Sequence, residues 1–450
     1  MNPGRIWLAA AALALALAWN PAPAPAQQVN ATPPAALFSN VRVFDGISGR
    51  VSGPTSVLVR GNRIERIAAS LAAEPGATVI DGNGRVLMPG LIDAHWHTMF
   101  VGIPLTVGLA ADPNYVALIG GLEAEHALMR GFTTVRDVGG SSFALKRAVD
   151  EGLLRGPRIY PSGALISVTS GHGDFRTGTE PARTLGASVD PTGHTAIADS
   201  PDEVRMRVRE QLLRGASQIK LTAGGGVSSP HSPLDAVTFT QPELRAAVEA
   251  AGNWGTYVTV HAYTSEAVRQ AAEVGVKCIE HGMLMDEASA QLIASKGIWL
   301  SLQPLPLELG NAFPPGSEER AKFQEVYEGV DRVYRLARKH KLKTAFGTDV
   351  LFSSPLARQQ GAMLASLTRW YTPAETLVMA TGTNGELLQL SGKRNPYPGE
   401  IGVVREGALA DLLLVDGDPV ADITLVARPE QSLLVIMKDG VIYKNLLAND

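Results

Sequence analysis

The chain has 450 residues, of which 45% are hydrophobic and 19% charged, a composition typical of a globular protein with a sizeable core. Its 40 basic and 44 acidic residues give a formal net charge of −4 at pH 7 without a basic cluster, which argues against nucleic acid and anionic membrane surfaces as partners. The single cysteine, Cys278, excludes an internal disulfide, so stability must come from the core.

Residues 1–26 have the pattern of a secretory signal peptide. Arg5 supplies the positive start, residues 6–19 an apolar run, and residues 24–26 a small-residue cleavage site of sequence Ala-Pro-Ala. The apolar run is short for a membrane span. We therefore expect an exported chain, periplasmic or secreted, that begins near Gln27 and has no membrane contact after processing. A retained anchor is the alternative.

Short strands are predicted near both ends of the chain. A turn at Gly61-Asn62 separates two of them as in a hairpin. The strands are predicted at residues 37–44, 55–59, 64–67, 78–80, 410–415, 432–437 and 441–444. This arrangement predicts a small β-sandwich domain built from residues 27–90 and 386–450.

The middle of the chain, residues 91–385, alternates strand-like and helical segments. Capping boxes are predicted at Ser200, Thr240 and Thr372. The strands are predicted at residues 88–95, 132–136, 158–162, 218–222, 257–261, 276–280, 298–302 and 344–347. Eight strands alternating with helices favour an α/β fold, a (β/α)₈ TIM barrel, over an open doubly wound sheet, because no Gly-x-Gly-x-x-Gly follows the first strand.

The first predicted barrel strand ends in His95-Trp96-His97. Residues i and i+2 of a strand point to the same face, so both imidazoles can reach one metal ion. Further polar residues lie within or near the ends of other predicted strands: Lys220 within residues 218–222, and His261, His281 and Asp349 at or just after strand ends. The carboxyl ends of barrel strands meet on one face, where active sites are built.

Lys220 is the discriminating member of this set. As an ammonium it would be repelled by bound cations. Burial and cationic neighbours lower the pKa of a lysine, and the neutral amine can take up carbon dioxide to form a carbamate, an anion able to bridge two metals.

These residues occur in the order and spacing of the binuclear members of the amidohydrolase superfamily, which the chain resembles over about residues 36–450. The segment Ile92-Asp93-Ala94-His95-Trp96-His97 carries the resemblance, together with Gly407-Ala408-Leu409-Ala410-Asp411-Leu412. Locally, Lys220-Leu221-Thr222-Ala223-Gly224-Gly225-Gly226 and Gly347-Thr348-Asp349 are similar to the exported prolidase-like group. That group includes Xaa-Pro dipeptidases, carboxypeptidases that act on N-acyl amino acids, and ochratoxin-degrading amidohydrolases.

The resemblance implies two divalent ions, most plausibly zinc. One would be bound by His95, His97 and Asp349 and the other by His261 and His281, with a Lys220 carbamate and a hydroxide between them. Asp349 would act as general base and then as general acid.

Weaker candidates lie nearby. His172, in a Gly-rich connection, could donate to a developing oxyanion, or it could be a solvated loop histidine. Tyr263 could hold a substrate carboxylate, or simply pack. For Arg136 an ion pair with Asp137 or another structural role is favoured over carboxylate binding. The long connections at residues 166–199 and 303–318 are expected to act as lids.

The predicted activity is hydrolysis of an amide bond next to a free carboxylate in a small-molecule substrate. Hydrolysis of a cyclic amide, a lactone or a phosphotriester on the same site is the alternative. Lys220 counts against a deaminase, because mononuclear deaminases of the superfamily lack the bridging lysine. The third hypothesis is a metal-binding protein without enzymatic activity. Related enzymes form oligomers, so we expect a homo-oligomer.

Overall fold

The computed structural model describes residues 34–108, 111–176 and 193–447, and the predicted signal peptide lies outside them. The strands are β1 Ala35–Phe44, β2 Val51–Arg60, β3 Arg63–Ala68, β4 Thr78–Asp81, β5 Val86–Pro89, β6 Leu91–Trp96, β7 Phe132–Asp137, β8 Arg158–Pro161, β9 Leu165–Ser167, β10 Thr195–Ile197, β11 Ile219–Thr222, β12 Val258–Thr264, β13 Cys278–Leu284, β14 Trp299–Leu302, β15 Lys343–Phe346, β16 Leu412–Val415, β17 Leu433–Lys438 and β18 Val441–Asn445.

The α-helices are α1 Leu105–Gly108, α2 Pro113–Met129, α3 Phe143–Asp150, α4 Pro201–Leu213, α5 Gln241–Asn253, α6 Ser265–Val274, α7 Glu287–Ser295, α8 Glu318–Lys339, α9 Ser354–Ala357, α10 Gln360–Ser366, α11 Pro373–Val378, α12 Asn384–Leu388 and α13 Pro429–Ser432. None of these described helices has the length and apolar character needed to cross a bilayer.

Strands from both ends of the chain form one mixed sheet. Its order is β18-β17-β16-β5-β1-β2-β3, and β4 pairs with β1. The two ends meet where β5 pairs antiparallel with β16, with Leu87 opposite Leu414. Gly61 provides the positive φ, 57°, in the turn between β2 and β3. The predicted β structure built from both termini is thus confirmed, and its two segments share a single hydrogen-bonded sheet.

The middle of the chain forms the predicted barrel. β6, β7 and β8 pair in parallel, and so do β11 to β15. Each of these eight strands overlaps a strand predicted from the sequence. The short strands β9 and β10 belong to the long connection after β8, and β9 pairs with β11.

Two buried side chains join these groups of strands where strand pairing is interrupted. Asn384 accepts from Phe346 N at 3.1 Å and donates to Ile92 O at 2.8 Å, which connects β15 to β6. Gln218 donates to the carbonyls of Asp137 and Tyr160, at 3.1 and 2.8 Å, which connects the start of β11 to β7 and β8. These amides satisfy main-chain groups that would otherwise be buried without partners.

The helix starts follow the capping residues, with one difference from the prediction. At α11 Thr372 and Glu375 form a complete capping box. At α4 Ser200 accepts from Glu203 N, but the Glu203 carboxylate accepts from Asp199 N, so the box predicted at Ser200 is incomplete. The cap itself remains, because the hydroxyl still satisfies an amide of the first turn.

Candidate active site

Four buried histidines converge at the carboxyl end of the barrel strands. His95 lies in β6, and His97 is the first residue after that strand. His261 lies in β12 and His281 in β13. The ring centroid of His95 lies 5.2 Å from that of His97 and 5.0 Å from that of His281. The ring centroids of His261 and His281 are 4.4 Å apart. The structure therefore brings these imidazoles into one cluster.

Asp349 reaches the same cluster from the segment after β15. Its Oδ1 atom lies 3.2 Å from Nε2 of His95 and 3.2 Å from Nε2 of His97. Its amide donates to His95 O at 2.8 Å, and its φ of 52° is left-handed. A Cβ atom at Gly347 would lie 2.4 Å from Cβ of His95, so only glycine allows this close approach.

Lys220 is buried in β11 beside the histidines. Its charge acts on the imidazoles of His95, His261 and His281. Burial lowers the pKa of the Lys220 amine, although the carboxylates of Glu280 and Asp349 oppose the shift. Lys220 therefore loses its proton and becomes a neutral amine more readily than a solvent-exposed lysine does.

Each histidine has one ring nitrogen close to a protein oxygen and the other left for the cluster. The pairs are His95 Nδ1 with Glu280 Oε2 at 2.8 Å, His97 Nδ1 with Gly139 O at 3.1 Å, His281 Nδ1 with Gln303 Oε1 at 2.7 Å, and His261 Nε2 with Gly225 O at 2.8 Å. An oxygen acceptor selects the tautomer protonated on the nitrogen next to it, which leaves a lone pair on the other nitrogen. This arrangement is typical of metal-binding histidines.

The donor set fits a divalent cation. Nε2 of His95 is buried without a hydrogen-bond partner among the described residues, as expected for a nitrogen that binds a metal ion. One donor atom each from His95, His281 and Asp349 lies within 4.8 Å of the others. Imidazole nitrogens with a carboxylate oxygen are the donors that zinc and similar metals prefer.

The protonation states also suit metal binding. Burial lowers the pKa of His281 to about 3, and burial together with the neighbouring His172 lowers that of His261 well below its ordinary value. For Asp349, burial would raise the pKa, but His95 and His97 hold it well below its usual range. Neutral imidazoles and an ionised carboxylate are the forms in which these groups bind metals.

Both weaker candidates from the sequence lie against the cluster. The ring of His172 is 4.3 Å from that of His261, and its Nδ1 is 3.0 Å from Oγ of Ser229. Burial lowers the pKa of His172 to about 3, so its imidazole is neutral. The ring of Tyr263 is 4.6 Å from that of His261 and 5.0 Å from that of His281.

Glu280 is a residue of the site that the sequence reasoning missed. It is fully buried and binds His95 on one side and Arg136 Nη2, at 2.6 Å, on the other. The suggested partner of Arg136, Asp137, is therefore wrong, whereas the structural role favoured for Arg136 is what the structure shows. An acidic residue inside an apolar strand, directly before His281, was the available signal.

Comparison with known proteins agrees with this geometry. The model of the amidohydrolase family matches residues 86–442, which include every strand of the barrel. The chain belongs to the amidohydrolase family. This amidohydrolase is 31% identical over 375 residues to the ochratoxinase of Aspergillus niger, covering 80% of this chain and 76% of the ochratoxinase.

Two solved structures extend the comparison. One is a prolidase complexed with N-methylphosphonate-L-proline, with 32% identity, a TM-score of 0.85, and coverage of 91% of this chain and 100% of that one. The other is a Xaa-Pro dipeptidase with bound methionine in its active site, with 28% identity, a TM-score of 0.79, and the same coverages. With these relatives, the amidohydrolase is a hydrolase that acts on amide or peptide bonds.

Proposed function

We propose that this amidohydrolase is a binuclear metal enzyme that cleaves an amide bond next to a free carboxylate, in an N-acyl amino acid or a Xaa-Pro dipeptide. One observation carries the proposal: four histidines with oriented tautomers, Lys220 and Asp349 meet at the carboxyl end of the barrel. Mononuclear deaminases of the superfamily do not use the lysine, so Lys220 favours two ions over one.

His95, His97 and Asp349 would hold one ion, and His261 and His281 the other. When bound there, divalent cations would supply Lewis acidity that activates water and polarises the scissile carbonyl. The buried amine of Lys220 would bind between them as a carbamate: its nitrogen attacks carbon dioxide, a C–N bond forms, and one N–H proton is released. The low pKa caused by burial favours this reaction because only the neutral amine is a nucleophile.

Asp349 is the proton carrier. Its carboxylate is ionised, and its Oδ1 lies 3.2 Å from Nε2 of His95 and of His97, where it would share a metal ion with them. Oδ2, which lies 3.9 Å from His281 Nδ1, accepts a proton from the attacking water and returns it to the nitrogen that leaves. A group that first takes and then gives the proton lets both the attack and the bond cleavage proceed near neutral pH.

Ser229 contacts one ring nitrogen of His172 and so leaves the other for the substrate. Its Oγ accepts from Gly173 N at 2.9 Å, and we infer that its O–H donates to His172 Nδ1 at 3.0 Å. The neutral imidazole then carries its proton on Nε2. That N–H donates to the oxyanion that develops on the scissile carbonyl, a contribution that grows towards the transition state.

The substrate class follows from the relatives together with the site. N-methylphosphonate-L-proline and methionine, bound to the two solved relatives, both carry a free carboxylate. In this chain the phenol of Tyr263, beside His261 and His281, would donate to such a carboxylate. Arg136 does not take this role, because its guanidinium is buried against Glu280.

A substrate panel tests the proposal. Zinc-loaded protein is assayed on N-acyl amino acids and Xaa-Pro dipeptides, and in parallel on lactones and phosphotriesters. We expect turnover of the first group, its loss with a chelator, and its recovery with zinc. Turnover only of lactones or phosphotriesters would overturn the substrate class, and equal turnover after complete metal removal would overturn the metal mechanism.

The Lys220→Ala variant tests the bridging carbamate. We expect elemental analysis to find about two metals per chain in the native protein and fewer in the variant, because one bridging anion is lost. Metal uptake by the native apoprotein should also depend on added bicarbonate. Full metal content in a folded Lys220→Ala protein, or uptake independent of bicarbonate, contradicts the bridge.

Export of the protein is a further part of the proposal. The basic Arg5 and the apolar residues 6–19 support a cleaved leader. N-terminal sequencing of protein recovered from a periplasmic fraction should begin near Gln27. A chain retained in the cytoplasm with residues 1–26 intact contradicts export.

A further inference from the structure

Asp93, two residues before His95, carries a buried carboxylate that the proposed chemistry does not use. It lies in β6 and is fully buried. A carboxylate removed from water is unfavourable unless hydrogen-bond donors surround it. The donors that surround Asp93 therefore indicate what it does.

Four hydrogen bonds satisfy the Asp93 carboxylate. Its Oδ1 accepts from the amide of His95 at 3.1 Å and from the amide of Thr348 at 3.0 Å. Its Oδ2 accepts from Thr348 Oγ1 at 2.6 Å and from Gln360 Nε2 at 2.9 Å. Burial raises the pKa of Asp93, and the hydrogen bonds from Thr348 and Gln360 oppose this shift. Three of the four partners are N–H groups, which cannot accept, so the ionised carboxylate is the form that they stabilise.

The direction of the Gln360 amide is fixed from its other side. Its Oε1 accepts from Arg130 Nε at 3.1 Å, so its Nε2 must face Asp93. Gln360 is fully buried, and Arg130 is 5% exposed. Burial lowers the pKa of Arg130 to about 10, although the carboxylates of Glu123 and Asp93 oppose the shift. The amide thus lies between a buried carboxylate and a buried guanidinium.

Asp349 directly follows the residue that Asp93 binds, and its backbone needs support. Its φ of 52° is left-handed, a conformation that residues with a Cβ atom rarely adopt and that persists only where the surroundings hold it. On one side, Asp349 N donates to His95 O at 2.8 Å. On the other side, Asp93 holds both the amide and the hydroxyl of Thr348.

We propose that Asp93 is a positioning residue that sets Asp349 against His95. Its Oδ1 joins the backbone of His95 to that of Thr348, which is 255 residues away from Asp93 in the chain. In the described part of the chain β6 and β15 are not paired as strands, so side-chain contacts of this kind fix the distance between the two candidate ligands. The inference rests on the role proposed for Asp349.

The Asp93→Asn variant tests this role at a temperature where circular dichroism shows a folded protein. The new amide keeps an oxygen for the two backbone amides, but its nitrogen meets Gln360 Nε2, and two donors separate. We expect kcat to fall about 10- to 100-fold with KM changed by less than about threefold. Zinc affinity, measured by competition with a chelator, should fall about 10-fold.

Asp422→Asn is the matched control. The Asp422 carboxylate also accepts from the amide and the hydroxyl of one threonine, Thr424, at 3.0 and 2.6 Å, but both residues are exposed. The substitution should leave kcat, KM and zinc affinity unchanged. A purely structural Asp93 would lower the thermal midpoint of Asp93→Asn without lowering kcat or zinc affinity, and that result overturns the proposal.

A second substitution restores the lost contacts. When Asp93→Asn is combined with Gln360→Glu, the negative charge moves to position 360, where it accepts from Arg130 Nε and from the new amide at position 93. The other N–H of that amide donates to Thr348 Oγ1. We expect the double variant to recover most of kcat and of the zinc affinity. A double variant that regains the native thermal midpoint but stays as impaired as Asp93→Asn overturns the proposal.

Thr348 offers a test that leaves Asp93 in place. Thr348→Val keeps the shape and removes the hydroxyl, so it should lower kcat, though less than Asp93→Asn does. Thr348→Ser keeps the hydroxyl and should stay close to the native protein. Native kcat and zinc affinity in folded Thr348→Val would overturn the proposal.

Asp349→Asn separates this inference from the function on which it rests. If Asp349→Asn loses kcat and zinc affinity whereas Asp93→Asn keeps both, only the positioning role of Asp93 is wrong. If Asp349→Asn keeps both, the proposed proton carrier is wrong, and the positioning role is wrong with it.

Discussion

Glu280 orients the imidazole of His95, one of the candidate metal ligands. Its two oxygens are divided between His95 Nδ1 and Arg136 Nη2, so imidazole, carboxylate and guanidinium form one buried chain. Burial would raise the pKa of Glu280, but Arg136 and His95 hold it well below its ordinary value. An ionised acceptor makes the imidazole a better metal ligand.

We expect Glu280→Gln to weaken zinc binding about 10- to 100-fold, because the amide accepts from His95 without the carboxylate charge. Competition with a chromogenic chelator measures this at a temperature where circular dichroism shows a folded protein. Glu287→Gln is the matched control, since Glu287 is exposed in α7 and pairs with Lys339. Native affinity in folded Glu280→Gln would show that the carboxylate does not tune the site.

We expect Asp349→Asn to lower kcat about 10²- to 10⁴-fold with a small change in the thermal midpoint, because the amide cannot carry the proton. Steady-state kinetics and differential scanning calorimetry check both parts. Asp202→Asn, at an exposed position of α4, should leave kcat unchanged. Metal content is measured in parallel. Full activity of Asp349→Asn at full metal content would show that Asp349 does not transfer the proton.

At the scale of elements, the loop after β11 connects α8 to the histidines. Lys322 of α8 is buried, and its Nζ donates to the carbonyls of Ser229 and Ser232 at 3.2 and 3.0 Å. Within the loop, Gly225 O binds His261 and Ser229 Oγ binds His172. The helix thus holds the loop that orients two imidazoles.

We expect Lys322→Met to lower kcat about 10- to 100-fold, since small displacements of oriented groups are costly in an active site. Limited proteolysis should at the same time cut the loop at residues 223–233 faster. Lys322→Arg should recover part of the activity, and Lys339→Met, which removes an exposed lysine of the same helix, should have no effect. Lost stability with unchanged kcat would indicate a purely structural lysine.

At the scale of the whole molecule, one ion cluster connects the barrel to the terminal sheet. Arg158 of β8 makes two hydrogen bonds to Asp411, at 2.8 and 3.1 Å, and a third to Asp439 at 2.6 Å. The side chains of Arg158 and Asp411 are 5% and 3% exposed. Removing one partner therefore leaves a buried charge uncompensated.

We expect Arg158→Met to reduce the free energy of unfolding by about 3–5 kcal/mol, measured by urea denaturation. Arg147→Met, which breaks the exposed pair with Glu151, should change it by less than about 1 kcal/mol.

Burial would raise the pKa of Asp439, but Arg158 lowers it below the ordinary 3.8. The contribution of Asp439 is therefore complete above pH 3.8 and is lost as the pH falls through the lower folded value. A difference between native and variant protein that grows in acid contradicts this assignment.

The sequence by itself determined the eight parallel strands of the barrel and the six candidate ligands, but not the short strands β9 and β10. Strand and helix patterns are local, and the fixed geometry of a parallel barrel brings strand ends together whatever the loops do. The Thr372 box and the turn at Gly61 were readable for the same reason, because their partners lie within a few residues.

Only the tertiary structure decided the partners of these ligands. Glu280 and His95 are 185 residues apart, and Arg136 and Glu280 are 144 apart, so no local pattern connects them. The tautomer of each histidine depends on the oxygen that the fold brings to one ring nitrogen, and the low pKa of Lys220 depends on its burial. Sequence spacing names the residues that can bind a metal, whereas packing sets their charge and direction, because both depend on neighbours that are distant along the chain.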